Sequence, residues 1–310
     1  MAGGSVRAVV AAMIANGIIA VAKFIAAGVT GSSAMLSEGI HSVADTGNQA
    51  LLLFGNRRSR KPADRTHPFG YSRELYFWSL IVAMILFGIG GGFSIYEGLK
   101  HLGHPELPTN VGWSYSILAI AFVVEAIALR VALRELGGKG SGKSLWRRVR
   151  ESKDPRVFVP VAEDISALAG VVVAFIGIFL ARTLNLPVLD AAASIVIGGI
   201  LCAVAVFLAS ETRALIVGES ITDTLQRQVE LICVEEEAVE SIVRILGIYL
   251  GPDAIFLNLG LKFRPEIDVE AAAQAIERIE SRIRQADPRF NRVFVEPEAK
   301  GDLGGLAVPF

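Results

Sequence analysis

Residues 157–181 read VFVPVAEDISALAGVVVAFIGIFLA, an apolar run interrupted near one end by two adjacent carboxylic acids, Glu163 and Asp164. A helix rises about 1.5 Å per residue, so crossing a hydrocarbon core of about 30 Å takes roughly 20 mostly apolar residues. Only helices or closed barrels satisfy their backbone there. Working outward, five more stretches qualify: Arg7 to Val29, Ser33 to Gly55, Glu74 to Leu99, Val111 to Leu133 and Val188 to Ser210. None alternates like a barrel strand. The first outruns the apolar part of a signal peptide and a second span follows almost at once, so it is expected to be a retained helix. Composition agrees with a membrane protein: 52% of residues are hydrophobic and 20% charged, with mean hydropathy +0.50. Disorder and nucleic-acid binding are poor readings of such a balance. Two cysteines, Cys202 and Cys233, cannot build a disulfide framework.

The net charge of −1 hides an asymmetry. Residues 1–210 carry 19 Lys+Arg against 13 Asp+Glu, and residues 211–310 carry 11 against 18. A boundary is therefore expected near Glu211, between a six-helix domain (1–210) and an acidic domain (211–310). Short loops rich in Lys and Arg face the cytoplasm. The loop from Asn56 to Arg73 holds Arg57, Arg58, Arg60, Lys61, Arg65 and Arg73, and the segment from Arg134 to Arg156 holds eight more basic residues. Six spans with those loops inside put both termini in the cytoplasm. Residues 137–143, GGKGSGK, read as a flexible linker. The glycine run Gly88 to Gly92 reads as a close helix contact and not as a phosphate loop, because it sits inside a span with no strand before it. Beyond Glu211 the pattern predicts a helix over Asp223–Val239, strands over Val239–Tyr249 and Ala254–Phe263, a helix over Val269–Gln285 and a strand over Arg292–Val295. That α-β-β-α-β order suits a small domain with helices on one sheet face.

Ionisable side chains inside spans are costly and mark function by default. His41 and Asp45 lie four apart, hence on one face of the second span. Counting from Ser32, Asp45 lies roughly 20 Å deep, about 10 Å from the far side. Counting from Val157, Asp164 lies about 10 Å in. The carboxylates thus reach similar depth from opposite directions. An imidazole with two or three carboxylates suits a divalent metal of intermediate hardness. Glu163 and Asp164 point about 100° apart, so only one of them can face such a site squarely. Asn48, one turn beyond Asp45, is expected to join helices and not to bind metal.

The ordered stretches Asn16 to Asp45 (Asn16, Lys23, then Thr30-Gly31-Ser32-Ser33-Ala34 and His41-Ser42-Val43-Ala44-Asp45), His67-Pro68-Phe69-Gly70-Tyr71, and Asp164 with Gly170 resemble the cation diffusion facilitators, a family of metal/proton antiporters. The pieces Glu38 to Gln49 and Glu163-Asp164 look most like its zinc transporter nine branch. The resemblance implies six spans, a cytoplasmic ferredoxin-like α+β domain and a homodimer. It implies a transport site of two positions four apart on the second helix and two on the fifth. His41, Asp45 and Asp164 fit three of these, and Pro160, with no donor, falls on the fourth; Glu163, a water or a backbone carbonyl freed by the proline would complete the shell. A second site known in some relatives is matched by Asp64 and His67, but Tyr71 replaces its remaining histidine. The domain beyond Glu211 has no histidine, since all four lie at 41, 67, 101 and 104.

The expectation is a secondary transporter, not an enzyme, that exports Zn2+ from the cytoplasm in exchange for H+ across the plasma (inner) membrane. The metal is its cargo and no cofactor is implied. Mn2+, Fe2+ or Co2+ export, or a non-transporting scaffold or metal sensor, are the alternatives. An intramembrane hydrolase would need a nucleophile–base pair or a His-Glu-x-x-His helix, which the sequence lacks.

Overall fold

The apolar runs fold as long helices that stop at capping residues. The computed structural model describes residues 4–136 and 145–298. Its helices begin with α1 (Gly4–Thr30) and α2 (Ser33–Ser59). Gly31 makes the turn between them at φ +68°, a conformation that favours glycine. Ser32 caps α2 by accepting from Met35 N at 3.1 Å. The third span is α3 (Glu74–Ile85), a π-helical segment (Leu86–Gly92) and α4 (Phe93–Gly103) in one run. Next come α5 (Gly112–Glu135), a short α6 (Leu145–Glu151), α7 (Pro155–Thr183) and α8 (Val188–Val217). The linker expected over 137–143 lies outside the described residues.

Among the described residues, five helical runs are long and apolar enough to cross a membrane on length and composition; α2 is not among them. Its buried face carries Ser33, Ser37, Glu38, His41, Ser42, Asp45 and Asn48. That helix is the expected second span, and it keeps its polar residues by packing them inward against α1, α3, α4, α7 and the π segment. The expected glycine contact also exists. A Cβ on Gly198 of α8 would come 2.6 Å from Ile95 and 2.7 Å from Gly91 O, so small residues let the backbones meet.

Chain contacts divide the protein into two units, residues up to 62 with 74–213, and residues 63–73 with 214 onward. The boundary expected at Glu211 falls within α8. Helix-compatible residues carry α8 on to Val217, and Gly218 ends it at φ +116°.

The second unit contains α9 (Asp223–Val234), β1 (Val239–Gly251), β2 (Ala254–Phe263), α10 (Val269–Ala286) and β3 (Arg292–Pro297), in the expected order. β1 and β2 form an antiparallel hairpin, and β2 pairs with β3 in parallel. A full ferredoxin-like β-α-β-β-α-β layout has a strand before its first helix; among the described residues the sheet has three strands, so β3 lies directly beside β2. Leu225, Val229 and Ile232 of α9 and Ile279 and Ile283 of α10 pack with Ile255, Leu257, Leu259 and Leu261 as the core.

Candidate metal centre

His41 and Asp45 are on the inward face of α2, one turn apart, with His41 Nδ1 3.4 Å from Asp45 Oδ1. Both are buried. Neither ring nitrogen of His41 nor Oδ1 of Asp45 has a hydrogen-bond partner. Buried polar atoms in native proteins are nearly always paired, so three orphans on two adjacent side chains are unusual. Asp45 Oδ1 and the unprotonated ring nitrogen of His41 offer lone pairs of the kind a cation would bind, while the other ring nitrogen carries a proton.

Asn48, the next turn of α2, donates from Nδ2 to Glu163 Oε1 of α7 at 2.8 Å. This bond puts residue 48 level with residue 163, in keeping with the depth arithmetic, and gives Asn48 the joining role expected of it. It also separates the two acids of α7. Glu163 is buried and turned to α2, whereas Asp164 is half-buried. Both act on Asp45 through their charge. Among the described residues, however, no three His, Cys, Asp or Glu side chains are gathered closely enough to hold an ion. The structure therefore pairs His41 with Asp45 and leaves Glu163 and Asp164 nearby without closing a shell.

The carbonyl that Pro160 deprives of a helical donor belongs to Arg156, four residues back. Arg156 precedes Asp164 by eight residues, about 12 Å along the axis, so this carbonyl cannot complete a shell around Asp164.

Further buried charged groups of the bundle lie outside the residues that spacing alone selects as a site. Glu125 of α5 is buried and acts on Asp45, Glu163 and Asp164. Lys23 of α1 is buried against Glu38 of α2, Nζ to Oε2 2.7 Å. Asp190, at the start of α8, accepts from Ser32 Oγ at 2.6 Å and from Ser33 N at 2.7 Å, tying down the start of α2. Each is an ionisable residue within an apolar run, which is the signal that could have found it.

Other possible metal positions are built for different work. Asp64 accepts from Tyr71 OH at 2.7 Å, Thr66 Oγ1 at 2.7 Å and His67 N at 2.8 Å. These bonds, the tyrosine's first, hold its carboxyl well below the usual range and shape the loop. His101 Nδ1 lies 3.2 Å from Glu97 Oε1 on its own helix. Burial pushes the Cys233 thiol up to about 12, so it is not a ready thiolate ligand.

Residues 9–217 match the family model of the cation efflux transmembrane domain. The chain belongs to the cation efflux family. Its helical bundle is thus a membrane domain, and relatives in the family are named as transporters. The chain is 35% identical over 271 residues to the mouse (Mus musculus) mitochondrial proton-coupled zinc antiporter SLC30A9, covering 86% of this chain and 46% of that protein. Over 266 residues it is 31% identical to metal tolerance protein C4 of Arabidopsis thaliana, 85% of this chain and 57% of the relative. The chain spans about half the length of these curated relatives. A solved structure of a MamM CTD variant in its nickel form shares 20% identity over 26% of this chain and 99% of its own, with a TM-score of 0.24, too low to bear on the fold.

Proposed function

We propose that this cation efflux protein exports a divalent metal, Zn2+ first, in exchange for protons. His41 and Asp45 of α2 take the ion, with Glu163 and Asp164 of α7 closing on it. The observation that supports this reading is that His41 Nδ1, His41 Nε2 and Asp45 Oδ1 are buried side by side and none of them makes a hydrogen bond. An ion between α2 and α7 would offset carboxylates that a low-dielectric interior otherwise disfavours. Protons can offset the same groups, so metal and H+ compete for them. Rocking of the helices that exposes the centre to one side and then the other turns this competition into antiport. The basic loops assign both termini to the cytoplasm, the plasma (inner) membrane is the proposed location, and the C-terminal domain serves regulation and homodimer formation.

The test is flux in proteoliposomes, with Zn2+, Mn2+, Fe2+ and Co2+ compared and proton movement followed by a trapped dye. Zn2+ uptake is expected to depend on a pH gradient. Asp45→Asn and Asp164→Asn should each reduce it by more than the about 10–100-fold that the loss of an outer-shell metal partner costs. Normal flux in a folded double variant would exclude this centre, and flux indifferent to a collapsed pH gradient would exclude antiport.

A further inference from the structure

A second charged group lies closer to the α1–α2 turn than the His41–Asp45 pair. Lys23 Nζ is 2.7 Å from Glu38 Oε2 and donates to Ser42 Oγ at 2.9 Å, and neither Lys23 nor Glu38 has any exposed side-chain surface. Counting residues from the turn, Lys23 lies about 10 Å deep on α1, Glu38 about 8 Å deep on α2 and Asp45 about 18 Å deep. Cohesion is a poor reason for this pair, because well-packed apolar residues commonly hold an interior as well as a buried ion pair does.

Its surroundings link it to the metal centre. Glu38 precedes His41 by three residues, so both lie on one face of α2. Lys23 acts through its charge on His41, Asp45 and Glu125. The second oxygen of Glu38, Oε1, is buried without a hydrogen-bond partner. It lies against Gly170 of α7, where a Cβ would collide with it. A fully buried carboxylate thus has one oxygen held by an ammonium and the other free of any donor, one turn from the proposed ligands.

We propose that Lys23 is a tethered counter-cation of the metal centre and that Lys23 and Glu38 set its metal affinity in opposite directions. The inference rests on His41 and Asp45 being metal ligands. Glu38 neutralises most of the ammonium's field at the centre, so each partner is felt there chiefly when the other is removed. An arriving divalent ion is repelled by Lys23 and attracted by Glu38, and the close pair nearly cancels.

Equilibrium Zn2+ binding to the purified full chain in detergent tests this, with flux in proteoliposomes alongside. Glu38→Gln leaves an unbalanced ammonium and should weaken binding by about tenfold or more. Lys23→Gln leaves an unbalanced carboxylate, should tighten binding by a similar factor and should slow turnover through delayed release. A purely structural pair predicts something else, since breaking it from either side would distort the centre and weaken binding both times. Folded single variants that shift affinity in the same direction, or not at all, would overturn the proposal. Should Lys23→Gln fail to accumulate, the double variant decides, because adding Lys23→Gln to Glu38→Gln must recover most of the affinity lost. Wild-type protein that binds no Zn2+ would remove the transport reading and this one together. Wild-type binding with no recovery in the double variant would remove the counter-cation alone.

Discussion

Asn48 shows how one neutral residue can hold a charged site together. Its amide gives Glu163 a donor at 2.8 Å across the α2–α7 contact without adding charge, so two helices carrying several carboxylates can approach. Removing that donor leaves a buried carboxylate oxygen without its side-chain partner, and an unsatisfied buried group costs about 1–3 kcal/mol, more when charged. Asn48→Ala should therefore lower thermal stability in detergent by at least that amount. A divalent metal added at saturation should recover part of the loss, because binding to the folded form alone stabilises it. An unchanged melting temperature would mean that the bond contributes nothing to the α2–α7 contact.

At the level of elements, the third span and α8 meet through glycine. A side chain at Gly198 must displace Ile95 and the Gly91 carbonyl, and overpacking of this kind costs about 1–3 kcal/mol or more. Gly198→Leu should lower the melting temperature accordingly, while Gly199→Ala, where a Cβ meets nothing within 4 Å, should not. A well-folded Gly198→Leu variant of wild-type stability would show that the helices can separate without loss. The glycine contact was legible in the sequence, but the π-helical turn it sits in was not, since no residue pattern marks an i→i+5 turn. Helix α9 ends at Val234 and not at Val239 because Glu235, Glu236 and Glu237 would stack negative charge on the carbonyl end of a longer helix. That His41, Asp45 and Glu163 are buried was legible in the sequence, because one rule, the cost of charge in a span, applies to each alone. The sequence did not reveal that Lys23 meets Glu38, or that Glu163 and not Asp164 turns to Asn48, because those facts depend on how helices rotate against each other.

At the scale of the whole molecule, an apolar bundle is joined to an acidic C-terminal part, residues 214–298. Residues 214–298 have their own core of strand and helix residues, no histidine and a cysteine whose thiol burial holds at about 12. A piece of residues 214–298 is therefore expected to fold by itself, and added Zn2+ should leave its melting temperature unchanged. Its acid response follows from Asp287, which accepts from Arg289 Nη2 at 2.7 Å and Nε at 3.0 Å. The guanidinium holds the Asp287 carboxyl below its ordinary value, which is about 3.9 in an unfolded chain. As pH falls past that value the unfolded chain takes up its proton first, so the contribution is whole above about pH 4 and is lost as pH drops through the lower native value. Asp287→Asn should lower the melting temperature at pH 7 and flatten its fall below about pH 4. A variant whose acid profile matches the wild type would show that the Asp287–Arg289 pair is not coupled to folding. A Zn2+-dependent rise in melting temperature would instead reveal a metal site in a domain whose residues give no ready ligand set.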